Sequence, residues 1–493
     1  WLAKPSISLN EKPELHAVFD PATKQCIVGQ VKNADHKILE LALDGATSAA
    51  VAWNARGMVA RANILDKIAD RLEEQRANFI YLAVREAGKT IPDAVAEVRE
   101  AVDFCRYYAL QARKRLAKTI NLTGPTGESN QLEYHGRGIF VCISPWNFPL
   151  AIFTGQVVAA LVTGNCVIAK PAEQTPLIAA AAVELFHQAG VPKAVLSLLP
   201  GEGETIGAAL VADERVAGVI FTGSTVVAKS IQRSLAKREG AIAPLIAETG
   251  GQNAMLVDSS ALPEQVVDDV IQSAFGSAGQ RCSALRVLFL QEDIADTIIK
   301  MLTGAMAKLN LGDPGLLITD IGPVIDAEAM AVLQQHIEKM HKEATLIYQT
   351  PLDDIKQDGY FVAPTVFEIK NIAQLREEVF GPVLHIIRFK LEDLPQVLHD
   401  INNTAYGLTL GIHSRIQARV QYIHQQLNVG NTYVNRNMIG AVVGVQPFGG
   451  EGLSGTGPKA GGPNYLTRLC VERTLTINTT ATGGNASLLT LEE

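Results

Sequence analysis

Between residues 138 and 248 short apolar runs alternate with longer stretches of helical spacing, and this alternation restricts the possible folds more than any other feature of the sequence. The runs fall at 139–143, 166–169, 194–199, 219–221 and 244–247, with a helical stretch between each pair. Uninterrupted apolar runs of this length are strands covered on both faces, and a strand–helix–strand repeat joins its strands in parallel. Ligands of such sheets bind beyond the carboxyl ends of the strands. The loops expected there read Lys170-Pro171-Ala172-Glu173, Pro200-Gly201-Glu202-Gly203 and Thr222-Gly223-Ser224-Thr225.

A second alternating region runs from 252 to about 432, with helices expected at 295–309 and 327–341 and a strand at 383–389. At 493 residues the chain is too long for one ordinary core, and a boundary close to Glu248 separates the two regions. Residues 39–116 carry amphipathic helical patterns, and their charges read as solvated faces. The first forty residues, with Pro5, Pro13 and Pro21, are expected to be irregular and to wrap over a surface. The polar stretch 119–132 reads as an extended ribbon, and 471–480 as its exposed strand partner.

Composition excludes several classes of function. A net charge of -8 argues against nucleic acid as the main partner, because a phosphate backbone calls for a basic surface. The six cysteines show no CxxC or CxxH spacing, so neither a zinc site nor a disulfide framework is expected, and a reduced compartment is. Residues 148–169 lack any charge over a length that could span a bilayer, but Pro149, Gly155, Gly164 and Asn165 break them into a buried helix and a strand. The chain opens Trp1-Leu2-Ala3-Lys4-Pro5, which reads as a segment of a longer protein.

Cys282 sits in Ser277-Ala278-Gly279-Gln280-Arg281-Cys282-Ser283-Ala284, a small-residue corner between a helical pattern ending at Phe275 and an apolar run at 285–290. Small neighbours leave its sulfur room to meet a substrate, and Arg281 is expected to favour the thiolate. A thiol with an unperturbed pKa of about 8.5 needs more help than one arginine guarantees. A buried structural thiol is the commoner fate of a single cysteine, and the octapeptide alone leaves both readings open.

Taken with Ser144-Pro145-Trp146-Asn147-Phe148-Pro149, Glu248-Thr249-Gly250-Gly251 and Glu378-Val379-Phe380-Gly381-Pro382, the octapeptide resembles the aldehyde dehydrogenase superfamily, in the family's order and over nearly the whole chain. The runs 123–130, 247–254 and 454–463 are similar to the L-glutamate gamma-semialdehyde (delta-1-pyrroline-5-carboxylate) dehydrogenase half of bifunctional proline utilisation A flavoenzymes. The resemblance implies an α/β fold of two doubly wound parallel-sheet domains plus a small β oligomerisation ribbon. An NAD-binding domain is expected at 1–118 and 138–247, a catalytic domain at 248–470, and the ribbon at 119–137 and 471–493.

It also implies roles. Cys282 is the expected nucleophile, Asn147 the oxyanion donor and Glu248 the base that activates water. Gly223 and Ser224, at a helix start, suit the pyrophosphate of NAD; no GxGxxG follows the first strand, and Ala228 stands where the family usually has glycine. Lys170 and Glu173 match an adenosine-ribose clamp, with the carboxylate favouring NAD over NADP. Glu378 matches the holder of the nicotinamide ribose, and Phe380 its neighbour. Ser283, with the backbone N–H groups of Gly461 and Gly462, is the expected anchor for a substrate carboxylate. The resemblance further implies a cytoplasmic homodimer and a flavin-dependent proline dehydrogenase domain earlier in the full-length chain, with no metal and no flavin on this one.

Overall fold

A computed structural model describes residues 1–7, 14–352 and 358–479. The chain opens with β1 (Leu2–Ala3), β2 (His16–Asp20) and β3 (Thr23–Val31), then four helices, α1 (His36–Ala55), α2 (Met58–Glu74), α3 (Arg76–Ala87) and α4 (Ile91–Gln111). Two strands of a ribbon follow, β4 (Ile120–Leu122) and β5 (Glu128–Gly136). The first alternating region is β6 (Ile139–Ile143), α5 (Ala151–Val162), β7 (Cys166–Lys170), α6 (Pro176–Gln188), β8 (Leu196–Leu198), α7 (Ala208–Ala212), β9 (Val216–Thr222), α8 (Thr225–Ala236) and β10 (Leu245–Glu248). Its strands form one parallel sheet in the order β10-β9-β6-β7-β8.

The second region is β11 (Ala254–Val257), α9 (Pro263–Phe275), β12 (Val287–Gln291), α10 (Glu292–Met306), α11 (Ala327–Glu343), β13 (Thr345–Gln349), β14 (Thr365–Glu368), β15 (Val383–Phe389), α12 (Leu394–Asn403), β16 (Tyr406–Gly407), β17 (Thr409–His413), α13 (Gln417–Gln426) and β18 (Asn431–Val434). It builds a sheet ordered β13-β14-β15-β12-β11-β17-β18, parallel except for the antiparallel edge strand β13. The chain then returns through β19 (Glu451–Gly452), α14 (Tyr465–Arg468) and β20 (Cys470–Asn478), and β20 pairs antiparallel with β5 along its whole length. Of the expected ribbon, residues 480–493 lie outside the described residues.

Burial explains why these stretches become these elements. Strand β6 reads Ile-Phe-Val-Cys-Ile between two neighbours and buries nearly every side chain, as a central parallel strand must. Helix α5, the middle of the uncharged stretch, is buried on all sides except at Ile152, and no described helix is long and apolar enough to cross a membrane. Asn165 closes the turn that separates it from β7. Its Oδ1 accepts from the N–H groups of Arg137 at 2.6 Å and Gly138 at 3.1 Å, while Nδ2 donates to Leu469 O at 3.0 Å. One buried amide thus ties the ribbon's base to the first core.

Two expectations change. The first forty residues are not wholly irregular: β1, β3 and β2 form a small sheet whose Val18, Val28 and Val31 pack into the first core. Its outer face is polar enough to hide the pattern. Tyr465, Leu466, Leu469 and Cys470, assigned by the sequence reading to the catalytic domain, pack into that same first core, because β20 runs back beside β5.

Candidate active site

The two large sheets meet with opposite edges. Thr222, Glu248, Ile143 and Lys170 end neighbouring strands of the first sheet, at its carboxyl edge. Cys282 precedes β12 and so lies at the amino edge of the second sheet, where Ala254 and Val287 open adjacent strands. Five residues link Glu248 to Ala254, which keeps the two edges together.

The thiol's loop is tightly constrained. After α9, Ser277 (φ 55°), Ala278 (φ 53°) and Gly279 (φ 67°) are all left-handed, a conformation costly for the two residues that carry a Cβ. A Cβ at Gly279 would overlap the carbonyl oxygen of Gly381, so that position requires glycine. Asn253 Nδ2 donates to Cys282 O at 2.6 Å and Ala284 O at 2.9 Å, clamping the chain on either side of Ser283. Burial pushes the Cys282 thiol up to about 12, the Glu378 and Glu248 carboxylates push the same way, and Arg286 opposes them.

Arg281 does not play the part expected of it. Its Nη2 donates to Asp93 Oδ1 at 2.6 Å and its Nε to Ser277 Oγ at 3.2 Å, so its charge is committed to a part-buried carboxylate. The cation acting on the sulfur is Arg286.

Asn147, in the loop after β6, donates from Nδ2 to Gln280 O at 3.0 Å, two residues before the cysteine. Its own carbonyl accepts from Lys89 Nζ at 2.7 Å, and Lys89 pairs with the buried Glu97 at 3.0 Å. The second N–H of the Asn147 amide is left for a ligand. Glu248 has both carboxylate oxygens buried with no hydrogen-bond partner of good geometry among the described residues. Burial raises its pKa well above 4.5, against weaker opposition from the Gly450 N–H and the Lys459 ammonium. Gly449 and Gly455 keep this place clear, because a Cβ on them would lie 2.7 Å and 3.2 Å from the two Glu248 oxygens.

Cys282 lines two cavities at once. The smaller is bounded by Glu248, Ser283, Phe148, Phe448, Tyr465 and Glu100. The larger is bounded by Asn147, Gly223, Ser224, Glu378, Phe380 and Trp146. Thr222, Thr249 and Ile152 belong to both, so the thiol stands where the cavities join. In the second, Ser224 Oγ caps α8 by accepting from Val227 N at 3.3 Å, and Gly223 N donates to Glu248 O at 3.1 Å. Phe380 meets Trp146 edge-on, with ring centroids 5.5 Å apart. Ala228 is buried on α8.

Other expected residues stand apart. Lys170 and Glu173 lie 3.7 Å from each other at the end of β7 and do not line either cavity; Glu173 Oε1 accepts from Gly203 N at 2.6 Å. Burial lowers the Lys170 pKa. Gly461 and Gly462 are likewise absent from the cavity wall. Gly461 donates its N–H to Tyr108 Oη at 2.9 Å and Gly462 donates to Lys459 O at 3.2 Å, so the two-glycine anchor is not open to a ligand, whereas Ser283 is on the wall.

Sequence reading missed Arg286, Lys89 and Glu100. Glu100 sits on an ordinary helix face, Arg286 before an apolar strand and Lys89 in the turn between α3 and α4, and only tertiary burial marks them. Burial and the neighbouring Glu97 raise the Glu100 carboxyl to about 7, against Arg281 and Lys89.

Residues 9–475 match the aldehyde dehydrogenase family model. The chain is 54% identical over 486 residues to the bifunctional protein PutA of Escherichia coli (strain K12), covering 96% of this chain and 36% of that protein. It is 40% identical over 453 residues to 1-pyrroline-5-carboxylate dehydrogenase of Geobacillus kaustophilus, covering 91% of this chain and 87% of that one. It superposes on a crystal structure of 1-pyrroline-5-carboxylate dehydrogenase from Thermus with bound NAD at a TM-score of 0.92 and 35% identity, covering 97% and 93% of the two chains. The chain spans little more than a third of the PutA proteins it matches. By both sequence and fold, the chain belongs to the aldehyde dehydrogenase family.

Proposed function

We propose that this chain oxidises an amino-acid semialdehyde, L-glutamate gamma-semialdehyde, to the acid L-glutamate with NAD as the acceptor. The observation that carries the reading is the position of Cys282 at the junction of the two cavities, with Asn147 on one side and Glu248 on the other. Hydride leaves readily from a tetrahedral carbon bearing an alkoxide, so a nucleophile must first add to the aldehyde. Cys282 loses its Sγ–H proton to water, and the sulfur attacks the carbonyl carbon from the smaller cavity to form a thiohemiacetal. The free N–H of Asn147 and the Cys282 backbone N–H are the donors for the oxygen that becomes negative. After oxidation the acyl group remains on sulfur as a thioester. Glu248 then takes a proton from water, and the resulting hydroxide releases the acid.

The groove beside Phe380 suits the dinucleotide. Gly250 keeps it clear, since a Cβ there would overlap the Glu378 carboxylate, and α8 presents its amino end at Gly223 and Ser224. When bound, NAD supplies the hydride acceptor. Glu378 would hold the nicotinamide ribose and Gly223 and Ser224 the pyrophosphate, while Lys170 and Glu173, outside the groove lining, would take the adenosine ribose only if the dinucleotide extends past it.

The smaller cavity supports a zwitterionic substrate with an apolar stem. Phe148, Phe448 and Tyr465 would pack the methylenes, Ser283 would contact the carboxylate, and Glu100, the acidic residue on the wall besides Glu248, would take the ammonium. The name shared by the Geobacillus and Thermus relatives supports the same substrate. The length of the PutA relatives supports a place within a longer chain; that this chain is cytoplasmic and homodimeric, with a proline dehydrogenase domain that makes the precursor, is part of the proposal. The domain division we adopt follows the two cores, with the β5–β20 ribbon between subunits.

A steady-state panel tests the proposal. NAD reduction with glutamate semialdehyde should exceed that with propanal, and NADP should be the poorer acceptor. Equal kcat/KM for both aldehydes would reject the substrate assignment.

A further inference from the structure

Arg286 immediately precedes β12 and is 1% exposed, yet its guanidinium is shared between the two halves of the site. Nη1 donates to Gly279 O at 2.7 Å and Gly381 O at 3.3 Å, and Nη2 donates to Arg281 O at 3.0 Å and Glu378 Oε1 at 3.1 Å. The same group lies 5.1 Å from the Phe380 ring centroid. Two acceptors therefore belong to the Cys282 loop and two to the segment facing the dinucleotide groove. The loop cannot shift without disturbing this fork, because its left-handed turn packs directly on Gly381.

We infer that Arg286 is a positioning residue that couples the dinucleotide groove to the Cys282 thiol, holding the nucleophile loop and Glu378 in one planar fork. The charged and titratable groups acting on the sulfur are Glu378, Glu248 and Arg286, with Tyr433 facing it from β18. Arg286 is the single cation among them. With Glu378 bound to it, much of its charge is compensated. A ribose diol donating to Glu378 draws that carboxylate's charge away from both the guanidinium and the thiol, and Sγ–H then loses its proton to water more readily. Lysine could supply the charge but could not donate to four acceptors from one planar group. The inference rests on the proposed placement of the nicotinamide ribose at Glu378.

The test is the rate at which iodoacetamide, entering by the substrate cavity, alkylates Cys282 at pH 8, followed by mass spectrometry of the Cys282 peptide. Well below a thiol's pKa the rate tracks the thiolate fraction, so a shift of one unit reads as about tenfold. Without NAD, Glu378→Gln should react about tenfold faster than wild type and Arg286→Gln about tenfold slower. NAD should accelerate the wild type several-fold and leave both variants unchanged. Arg286→Lys should recover the rate without NAD but not the response to it. A merely structural role would slow or speed all variants alike. Wild-type rates and wild-type NAD responses in both Arg286→Lys and Glu378→Gln would overturn the coupling, and these two decide the matter if Arg286→Gln fails to fold. Failure of the wild type to quench NADH fluorescence would instead overturn the dinucleotide assignment, while the rates without NAD would still decide the link from Arg286 and Glu378 to the thiol.

Discussion

Cys282 is held neutral by burial and by two carboxylates, and this makes its chemistry sensitive to its neighbours. Cys282→Ala should lower NADH production by more than about 10³-fold while leaving NAD affinity within about twofold, measured by absorbance and by fluorescence titration. Substantial residual NADH would remove the thiol from the mechanism. Glu248 has its pKa raised by burial, so at low pH it is protonated and cannot take a proton from water. Hydrolysis of the thioester should therefore accelerate as pH rises through that raised value, and pre-steady-state traces should show the slow phase shrinking relative to the burst. A flat profile would assign the base elsewhere. Cys282, Glu248 and Asn147 were legible as candidates because each lies in a short run of distinctive composition. Arg286 was not, since one arginine before an apolar strand looks like any strand edge until its burial is known. Gly461 and Gly462 were misread for a related reason: glycine shows that backbone can approach a ligand, but not where its N–H points, and Tyr108 takes one of them.

At the scale of elements, the strand–helix alternation located the first sheet to within a few residues, because central parallel strands are apolar on both faces and cannot be mistaken for solvent-facing turns. The small N-terminal sheet escaped notice because only one of its faces is buried and its other face is mixed. Asn165 is the joint between α5, β7 and the ribbon. Asn165→Ala leaves the part-buried N–H groups of Arg137 and Gly138 and the buried C=O of Leu469 without this partner, and should cost about 2–3 kcal/mol in urea unfolding. An unchanged midpoint would mean that water replaces the amide. On the ribbon, Leu475 and Ile477 share one exposed face of β20. Replacing both with serine should shift light scattering from a dimer mass to a monomer mass while NAD binding persists; an unaltered dimer would place the interface elsewhere.

For the whole molecule, function depends on how two sheets are opposed. The carboxyl edge of one carries Glu248, Thr222 and the Asn147 loop, while the amino edge of the other carries Cys282, so neither sheet alone holds the site. Sequence motifs could name the participants but not this opposition, because strand order and the direction of the β10–β11 link are properties of the fold. The opposition puts the thiol on the walls of two cavities, which the proposed function assigns to an aldehyde and a dinucleotide. The most direct measurement of that claim is to mix Glu248→Gln with glutamate semialdehyde and NAD, quench within one turnover, and analyse the Cys282 peptide by mass spectrometry. The account predicts a burst of one NADH per site matched by one acyl group on Cys282. NADH formed without an acylated Cys282 would contradict it.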